Sequence, residues 1–237
     1  MTKTAKALVF FLAIFGSLYG CNNANSQFQV TRLPDGRSVK ITGYTGQGGE
    51  VRIPARLMRL PVTEIGEEAF AQRGLTSVSI PGSVTVIGNG AFAENQLTSV
   101  TIPNGVTRIG EWAFFGNRLT TVSIPGSVVY IEPRSFSRNQ LTSVTIAEGV
   151  TGIGIFAFAN NLLPSIVIPD SVTTILNGAF LDNRLERITI GPNVSFFGPV
   201  SALVMAPAFD NDFVEFYHEQ GLRAGTYTNL GFLWIME

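Results

Sequence analysis

The sequence predicts a solenoid, in which short coils of chain stack on one another and each contributes a parallel β-strand. Two observations carry this prediction. Leucine, isoleucine, phenylalanine and asparagine each return at a fixed step of 22 residues, and each repeated unit opens with the apolar–polar alternation that is typical of a strand. The repeating positions are Leu75, Leu97, Leu119, Leu141, Leu163 and Leu185; Ile80, Ile102, Ile124, Ile146, Ile168 and Ile190; Phe70, Phe92, Phe114, Phe136, Phe158 and Phe180; and Asn95, Asn117, Asn139, Asn161 and Asn183.

The need to stack explains the repetition. One unit offers about six apolar side chains for burial, each worth roughly 1.5–3 kcal/mol. Ordering the backbone of its 22 residues costs roughly 1–2 kcal/mol per residue. A single unit therefore cannot fold alone, whereas an array shares one core and gains hydrogen bonds between coils.

The unit Leu97–Arg118 illustrates the predicted coil. Alternation places Val100 and Ile102 inward on a strand, and Pro103 ends that strand because it has no N–H to donate. A second, shorter extended segment follows. Asn117 closes the coil, and we expect its side-chain amide to bond backbone groups of the next coil, since buried polar groups need partners.

The written unit is L-T-S-V-T-I-P-x-x-V-T-x-I-G-x-x-A-F-x-x-N-x. It resembles the Treponema-type, or BspA-like, branch of leucine-rich repeats over about residues 51–197. The resemblance implies a β-rich leucine-rich-repeat solenoid, and a surface protein that binds host extracellular-matrix or plasma proteins, or other cells. The first coil is irregular, with the extra residues "ARLMRLP" before Val62, and Ala147, Pro164 and Leu176 are local departures.

Two segments flanking the repeats are predicted to cap the solenoid. Residues 28–50 form a predicted N-terminal β-hairpin cap that turns at Pro34-Asp35-Gly36. Residues 198–237 form a predicted C-terminal cap, with a helix over 209–221 and a strand or hairpin over 224–235. Six aromatic side chains are expected to cover the last coil: Phe209, Phe213, Phe216, Tyr227, Phe232 and Trp234.

The N-terminal residues 1–20 are typical of a secretory signal peptide. Lys3 and Lys6 precede an apolar run from 7 to 20, which is too short to span a bilayer. Leu18-Tyr19-Gly20-Cys21 resembles the lipobox of bacterial lipoproteins. That resemblance implies a mature chain that begins at a lipidated Cys21, joined to the repeats by a tether over 21–27. It also implies an exported protein anchored to a bacterial membrane, with the outer membrane favoured. An ordinary secretory signal followed by a chance cysteine is the alternative.

Composition and residue types argue against catalysis. The net charge of −1 gives no electrostatic reason to expect a nucleic-acid partner. Metal sites need clustered histidine, cysteine or acidic residues, and the chain has one cysteine, Cys21, and one histidine, His218. We therefore expect no cofactor, no metal, no small-molecule substrate and no enzymatic activity.

Two surfaces are candidate protein-binding sites. The outward side of the predicted strands carries a nearly neutral set of hydroxyl residues, which includes Ser99, Thr101, Thr121, Ser123, Ser143 and Thr145. The alternative is that these residues simply suit strands. Six such strands offer roughly 600 Å², whereas a standard interface takes about 800 Å² from each partner.

Four large side chains occupy positions where the other coils carry small or polar residues. We call Trp112, Phe115, Tyr130 and Phe156 the aromatic strip. Exposed aromatic patches often mark interaction sites, and the alternative is that each ring lies flat on the adjacent coil. The predicted function is a protein-binding, surface-exposed lipoprotein adhesin. The alternative is a periplasmic scaffold for envelope proteins, which the short tether favours.

Overall fold

The computed structural model describes residues 25–192, 194–197, 217, 219–221, 223–229 and 234–236. Within these residues the chain forms the predicted leucine-rich-repeat solenoid. Strands of successive regular coils pair in parallel 22 residues apart, as in Ser143 opposite Thr121, and the spacing departs from 22 only towards the two ends. The predicted signal peptide and Cys21 lie outside the described residues, as do His218, Phe209, Phe213, Phe216 and Phe232. In the part that is described, no helix has the length and hydropathy needed to cross a bilayer.

Short strands account for most of the regular structure in the described residues. They are β1 (Phe28–Arg32), β2 (Val39–Tyr44), β3 (Gly49–Arg52), β4 (Arg56–Leu57), β5 (Leu60–Ile65), β6 (Leu75–Ser79), β7 (Val86–Ile87), β8 (Arg108–Ile109), β9 (Thr121–Ile124), β10 (Tyr130–Ile131), β11 (Ser143–Ile146), β12 (Gly152–Ile153), β13 (Ser165–Val167), β14 (Thr174–Leu176), β15 (Arg187–Ile190), β16 (Ser195–Phe197), β17 (Gly225–Asn229) and β18 (Trp234–Met236).

Three sets of backbone hydrogen bonds join the coils. On one side, strands pair as β3 with β6, β9 with β11 and β13 with β15; we call their outward surface the strand face. On the second side, β2, β5, β7 and β8 pair in that order, as do β10, β12, β14 and β16. On the third side, the turn of each coil donates N–H groups to the next, as from Phe114 to Ser135 O and from Phe136 to Ala157 O. We call this third surface the turn face.

One predicted strand is absent. The segment Leu97–Ile102 keeps the expected alternation, with Ile102 buried and Ser99 and Thr101 exposed, but it forms no assigned strand. A cleft of about 310 Å³ lies between Val100–Ile102 and residues 121–123 of the next coil. Backbone hydrogen bonds from the next coil reach only the start of the segment, from Arg118 N–H to Leu97 O (2.9 Å) and from Thr120 N–H to Thr98 O (3.3 Å). The alternation in this coil matches that of its paired neighbours, and nothing in its residues explains the break.

A column of stacked phenylalanine rings forms the centre of the core. From Phe70 to Phe180 successive ring centroids are 5.2–5.5 Å apart and the ring planes differ by only 9–17°. Each of these rings is at most 2% exposed. The repeating leucine and isoleucine side chains surround the column, and all are buried except Ile80 and Leu185, which are partly buried.

The asparagine column joins each coil to the one before it. Asn117 Oδ1 accepts a hydrogen bond from the Leu97 N–H (3.1 Å), and its Nδ2 donates to the Phe92 carbonyl (2.9 Å). Leu97 opens the same 22-residue unit that Asn117 closes, whereas Phe92 belongs to the preceding unit. The expectation that the amide bonds the next coil is therefore wrong in direction, although its side-chain polar atoms are satisfied as predicted.

Both ends of the solenoid carry antiparallel strands. At the N-terminal end β1 pairs antiparallel with β2, which continues into the second side through β5. Phe28 and Tyr44 contact the Phe70 ring, at centroid distances of 6.3 and 5.2 Å. At the other end β17 pairs antiparallel with both β15 and β18. The capping role of these segments, and the domain boundaries drawn from it, stay predictions.

Two aromatic residues of the C-terminal segment are buried. Tyr217 donates a hydrogen bond to the Gly191 carbonyl (2.7 Å), and its ring centroid lies 5.7 Å from that of Tyr227. Of the helix predicted over 209–221, the described residues 217 and 219 are helical. Burial raises the pKa of both phenols, so both stay neutral and able to donate at physiological pH.

The extra residues of the first coil form a small hairpin. Strands β4 and β5 pair antiparallel, and Met58 and Arg59 make the two-residue turn between them. Both have positive φ, 51° and 65°, as a type I′ turn requires. The insertion that interrupts the written repeat therefore forms this hairpin, whose Leu57 side chain is buried in the core.

Candidate functional site

The turn face has a regular backbone that places side chains in rows. In each complete coil from 66 to 183, two positions four residues apart adopt left-handed backbone, with φ between 50° and 65°. The first row is Glu68, Gly90, Trp112, Arg134, Phe156 and Gly178, and the second row is Gln72, Glu94, Gly116, Arg138, Asn160 and Asp182. Neighbouring residues of one row come from successive coils and stand one above another along the solenoid.

Large side chains in the first row occupy positions that favour glycine. Left-handed backbone costs a non-glycine residue roughly 1–2 kcal/mol, and Gly90 and Gly178 occupy the same row. The backbone is held in place by the hydrogen bonds between turns, such as Trp112 N–H to Pro133 O (3.1 Å) and Phe156 N–H to Asn177 O (3.0 Å). Bulky residues here therefore carry a backbone cost that the fold does not require.

The bulky residues stack on one another. The guanidinium carbon of Arg134 lies 4.7 Å from the Trp112 ring centroid and 4.9 Å from that of Phe156. Arg138 lies in the same way over Phe115, at 5.4 Å. The rings of Trp112 and Phe115 meet edge to face at 4.6 Å. Contact with the rings restricts the two guanidinium groups, which reduces the side-chain entropy that a ligand would otherwise have to remove.

The two arginines keep their hydrogen-bonding capacity. Within the described residues neither guanidinium forms an ion pair or a hydrogen bond, since the ion pairs found there are Lys40–Glu64 and Arg108–Glu132. A guanidinium has five N–H donors, and a contact with the face of an aromatic ring uses none of them as a hydrogen bond to oxygen. These groups can therefore bind an anion such as a carboxylate.

The stack forms part of an open groove along the turn face. Two adjoining cavities of about 590 and 430 Å³ share Glu94, Trp112 and Phe115 in their walls. We call them together the turn-face groove. The larger cavity is also lined by Glu67, Glu68, Gln72, Arg73 and Glu111, and the smaller by Arg134, Arg138, Phe156 and Asn160. The groove is thus acidic at one end, basic at the other, and aromatic where the two cavities meet.

The structure brings together three members of the aromatic strip and separates the fourth. Trp112, Phe115 and Phe156 line the groove. Tyr130 lies in β10, on the second side of the coil, and its ring covers Gly152 of the next coil so closely that a Cβ there would collide with it. Burial, and then the nearby charge of Glu132, raises the pKa of the Tyr130 phenol. Whether any of these residues binds a partner stays a prediction.

The predicted hydroxyl residues share one exposed surface. Ser99, Thr101, Thr121, Ser123, Ser143 and Thr145 are all exposed. Thr121 pairs with Ser143 and Ser123 with Thr145 across β9 and β11, so these four form a continuous patch on the strand face. Ser99 and Thr101 belong to the unpaired segment beside the cleft. None of these four side chains is charged. The role of this patch in binding stays a prediction.

Sequence reasoning missed the charged residues of the groove. Arg134 stands in the same row as Trp112 and Phe156, 22 residues from each, and that spacing was visible in the sequence. Glutamates occupy the first three coils of the groove, together with Arg73, and Arg134 and Arg138 occupy the fourth. Among the described residues no three histidine, cysteine or acidic side chains are placed so that they could hold a metal ion.

Comparison with known proteins agrees with this architecture. The family model described as BspA type Leucine rich repeat region matches residues 63–198 in six copies. A crystal structure of a leucine rich cell surface protein from Faecalibacterium prausnitzii A2-165 is 32% identical, with a TM-score of 0.56, over 70% of this chain and 53% of that chain. The structure of the pneumococcal vaccine antigen PcpA is 21% identical, with a TM-score of 0.59, over 70% and 48% of the two chains, and it shows similarity of fold alone. This chain therefore aligns with only about half the length of either structure. A search of curated proteins finds no match.

Proposed function

Because the chain belongs to the BspA-type leucine-rich-repeat family, we propose that it is a non-catalytic module that binds another protein through the turn-face groove. Repeat proteins of this kind present extended surfaces to protein partners and are typically not enzymes. The observation that carries the proposal is the stack of Trp112, Arg134 and Phe156, which places aromatic rings and unpaired guanidinium groups on positions where the fold would accept glycine.

The composition of the groove supports a protein partner. Tryptophan and arginine are enriched among the side chains that dominate binding energies at protein interfaces. Trp112 is 36% exposed, whereas its neighbour in sequence, Ala113, is fully buried. The strand face alone, at roughly 600 Å², is smaller than the share that one partner gives to a standard interface, and the groove adds a second contact area.

We further propose that the module is exported, anchored by acyl chains on Cys21 and exposed on the cell surface, where it acts as an adhesin for host matrix or plasma proteins or for other cells. The predicted signal peptide and lipobox support export and anchoring. The similarity to a protein described as a leucine rich cell surface protein, at 32% identity, supports exposure on the cell surface. Export of this kind is independent of which partner binds the groove.

A periplasmic scaffold that binds envelope proteins is the second candidate, and the short segment between Cys21 and the first strand favours it. Strand β1 begins at Phe28, seven residues after Cys21. Such a segment spans at most about 24 Å when it is fully extended. A solenoid held that close to its membrane reaches neighbouring envelope proteins more readily than distant host molecules.

The binding proposal predicts that Trp112→Gly combined with Phe115→Ala keeps the fold and loses the partner. Each replacement occurs naturally in the repeat, since Gly90 and Gly178 occupy the row of Trp112, and Ala93 and Ala159 occupy the position of Phe115. Wild type and variant would be tested by biolayer interferometry against purified host matrix, plasma and envelope proteins. We expect binding of the partner to fall at least about tenfold, with an unchanged circular dichroism spectrum.

The matched control for this experiment is Tyr130→Thr, which removes the strip residue that lies outside the groove and uses the residue of the same position in a later coil, Thr174. The control should bind like wild type. Equal binding by wild type and the groove variant to every partner found would show that the groove is not the binding site.

Localisation is tested separately, by adding protease to intact cells of the source bacterium with a known periplasmic protein as the control. Surface exposure predicts that the solenoid is digested while the control protein survives. Digestion that begins only after the envelope is broken would exclude the adhesin and leave the periplasmic scaffold.

A further inference from the structure

We propose that the turn-face groove binds an extended protein segment of mixed charge, which carries a basic side chain at one end, an apolar side chain in the middle and an acidic side chain at the other end. This inference rests on the proposed function and adds the chemistry of the partner. It follows from the order of charges along the groove, from the stacked arginines and from the spacing of the coils.

The basic end of the groove is preorganised for an acidic side chain. Arg134 lies against the rings of both Trp112 and Phe156, and Arg138 lies over the ring of Phe115. Neither has an ionic partner among the described residues, and both line the same cavity of about 430 Å³. Two guanidinium groups held in one cavity can bind one carboxylate with several charge-assisted hydrogen bonds.

The acidic end of the groove has the opposite requirement. Glu67, Glu68, Glu94 and Glu111 are exposed and line or border the cavity of about 590 Å³, and none forms an ion pair within the described part of the chain. Arg73 is the one cation in that wall. The excess of three negative charges attracts a lysine or arginine side chain and repels an anion.

The aromatic centre separates the two ends. Trp112 and Phe115 are common to both cavities, and Glu94 stands beside them in both walls, so the negative charge of the acidic end extends as far as this centre. Their rings meet at 4.6 Å and leave Trp112 partly exposed, which provides an apolar surface for one side chain of the partner.

The order of charges selects between classes of macromolecule. A sulfated polysaccharide or a nucleic acid carries negative charge along its whole length. Such a chain could pair with Arg134 and Arg138, but its continuation would pass the four glutamates at a cost of like-charge repulsion. A polypeptide can reverse its charge within a few residues, so the observed order favours a protein segment.

The spacing of the coils sets the length of that segment. Successive coils are 5.2–5.4 Å apart between Phe70 and Phe136, by the distance between stacked rings. Glu68 and Arg134 stand three coils apart in one row, which corresponds to about 16 Å, or about five residues of extended chain at roughly 3.3 Å per residue. The basic and acidic side chains of the partner should therefore be about five residues apart, with the apolar side chain between them.

The test uses the full chain and capped seven-residue peptides of one composition. Two block peptides have the order Lys-Lys-Gly-Phe-Gly-Asp-Asp and its reverse, so that the segment is tested in both directions along the groove. The control peptide, Lys-Asp-Gly-Phe-Gly-Lys-Asp, alternates the charges. Binding is measured by fluorescence anisotropy of labelled peptides, and heparin is the polyanion probe.

We expect one block peptide to bind about tenfold more tightly than the control peptide, since four exposed charge pairs are each worth a fraction of a kcal/mol. The preference should disappear at about 1 M salt, where the Debye length is about 3 Å. It should also disappear in Arg134→Glu combined with Arg138→Glu. Glutamate already occupies both rows, at Glu68 and Glu94, so the fold accepts it at these positions. Arg52→Glu with Arg118→Glu makes the same change of net charge outside the groove and should keep the preference.

Three results would overturn the inference. Equal binding of block and control peptides would refute the charge order, as would the absence of measurable binding by any of them. Tighter binding of heparin, lost in Arg134→Glu with Arg138→Glu, would assign the groove to a polyanion. Loss of natural-partner binding in Trp112→Gly with Phe115→Ala is measured separately, so the proposed function can stand when the charge rule fails.

Discussion

Replacing Asn139 with leucine is expected to lower the free energy of unfolding by about 2–4 kcal/mol, although the two side chains have similar volumes. Asn139 is 8% exposed and lies in a central coil. Its Oδ1 accepts the only hydrogen bond found for the Leu119 N–H, at 3.0 Å. Its Nδ2 donates to the carbonyls of Phe114, Phe136 and Ser137. Leucine can replace none of these bonds.

The largest part of this cost comes from the Leu119 N–H. The Phe114 carbonyl keeps a second donor, the Asn117 amide at 3.2 Å, and the Phe136 carbonyl keeps the Asn161 amide at 3.0 Å. Leu119 is fully buried, so water cannot replace its lost acceptor. A buried donor without a partner costs about 1–3 kcal/mol by itself.

Two measurements check this prediction. Thermal unfolding should show a midpoint several degrees lower than wild type, at about 2–4 °C per kcal/mol for a chain of this size. Amide hydrogen exchange should show that the Leu119 N–H loses more protection than amides of distant coils. Asn104→Leu is the control, because Asn104 is exposed and its side chain has no hydrogen-bond partner among the described residues. An unchanged midpoint with a protected Leu119 amide would show that the asparagine column does not join the coils.

The sequence predicted the core columns because their spacing along the chain equals one coil. Phe114, Phe136 and Phe158 are 22 residues apart, and residues separated by one full coil must stand one above another. The 22-residue spacing does not show whether a side chain contacts the preceding coil or the next one. Asn139 has identical neighbours on both sides, so only the structure shows that it bonds Phe114 of the preceding coil.

The 22-residue spacing also does not show on which side of the solenoid a given column of residues lies. Trp112 and Tyr130 belong to different columns, and nothing in their spacing states that one lies on the turn face and the other on the second side. The aromatic strip was therefore predicted as one surface and is found as a groove plus a separate ring. The members of one row, Trp112, Arg134 and Phe156, could have been placed together, because their spacing alone brings them into register.

Backbone pairing between coils depends on distances that alternation does not encode. The segment Leu97–Ile102 alternates as its neighbours do, and its side chains face inward and outward as predicted. Alternation reports which face of a strand is buried. Whether the strand also meets the next backbone depends on the gap between coils, here a cleft of about 310 Å³.

Replacing Phe136 with alanine is expected to have the largest effect, a loss of about 3–5 kcal/mol in the free energy of unfolding. The Phe136 ring is fully buried and stacks on Phe114 at 5.4 Å and on Phe158 at 5.5 Å. Its removal leaves a cavity between two rings that are themselves held by the hydrogen bonds between turns. The surrounding coils cannot close this cavity without breaking those bonds.

The position of Phe136 in the array adds to this cost. In a solenoid each coil is stabilised mainly by the coils on either side, so a cavity in a central coil weakens two interfaces at once. Phe136→Leu is the matched control, since it fills much of the same volume and should cost less than about 1.5 kcal/mol. Phe115→Ala removes the same ring from the partly exposed groove and should cost less than Phe136→Ala.

Urea denaturation followed by circular dichroism distinguishes these variants. Phe136→Ala should lower the transition midpoint far more than Phe136→Leu or Phe115→Ala. If the central interface is weakened enough, the single transition should broaden or divide, because the coils before and after Phe136 would no longer unfold together. Equal midpoints for Phe136→Ala and Phe136→Leu would contradict the packing argument. The loss of one ring would then have been absorbed by repacking, and the stacked column would not be what joins the two halves of the solenoid.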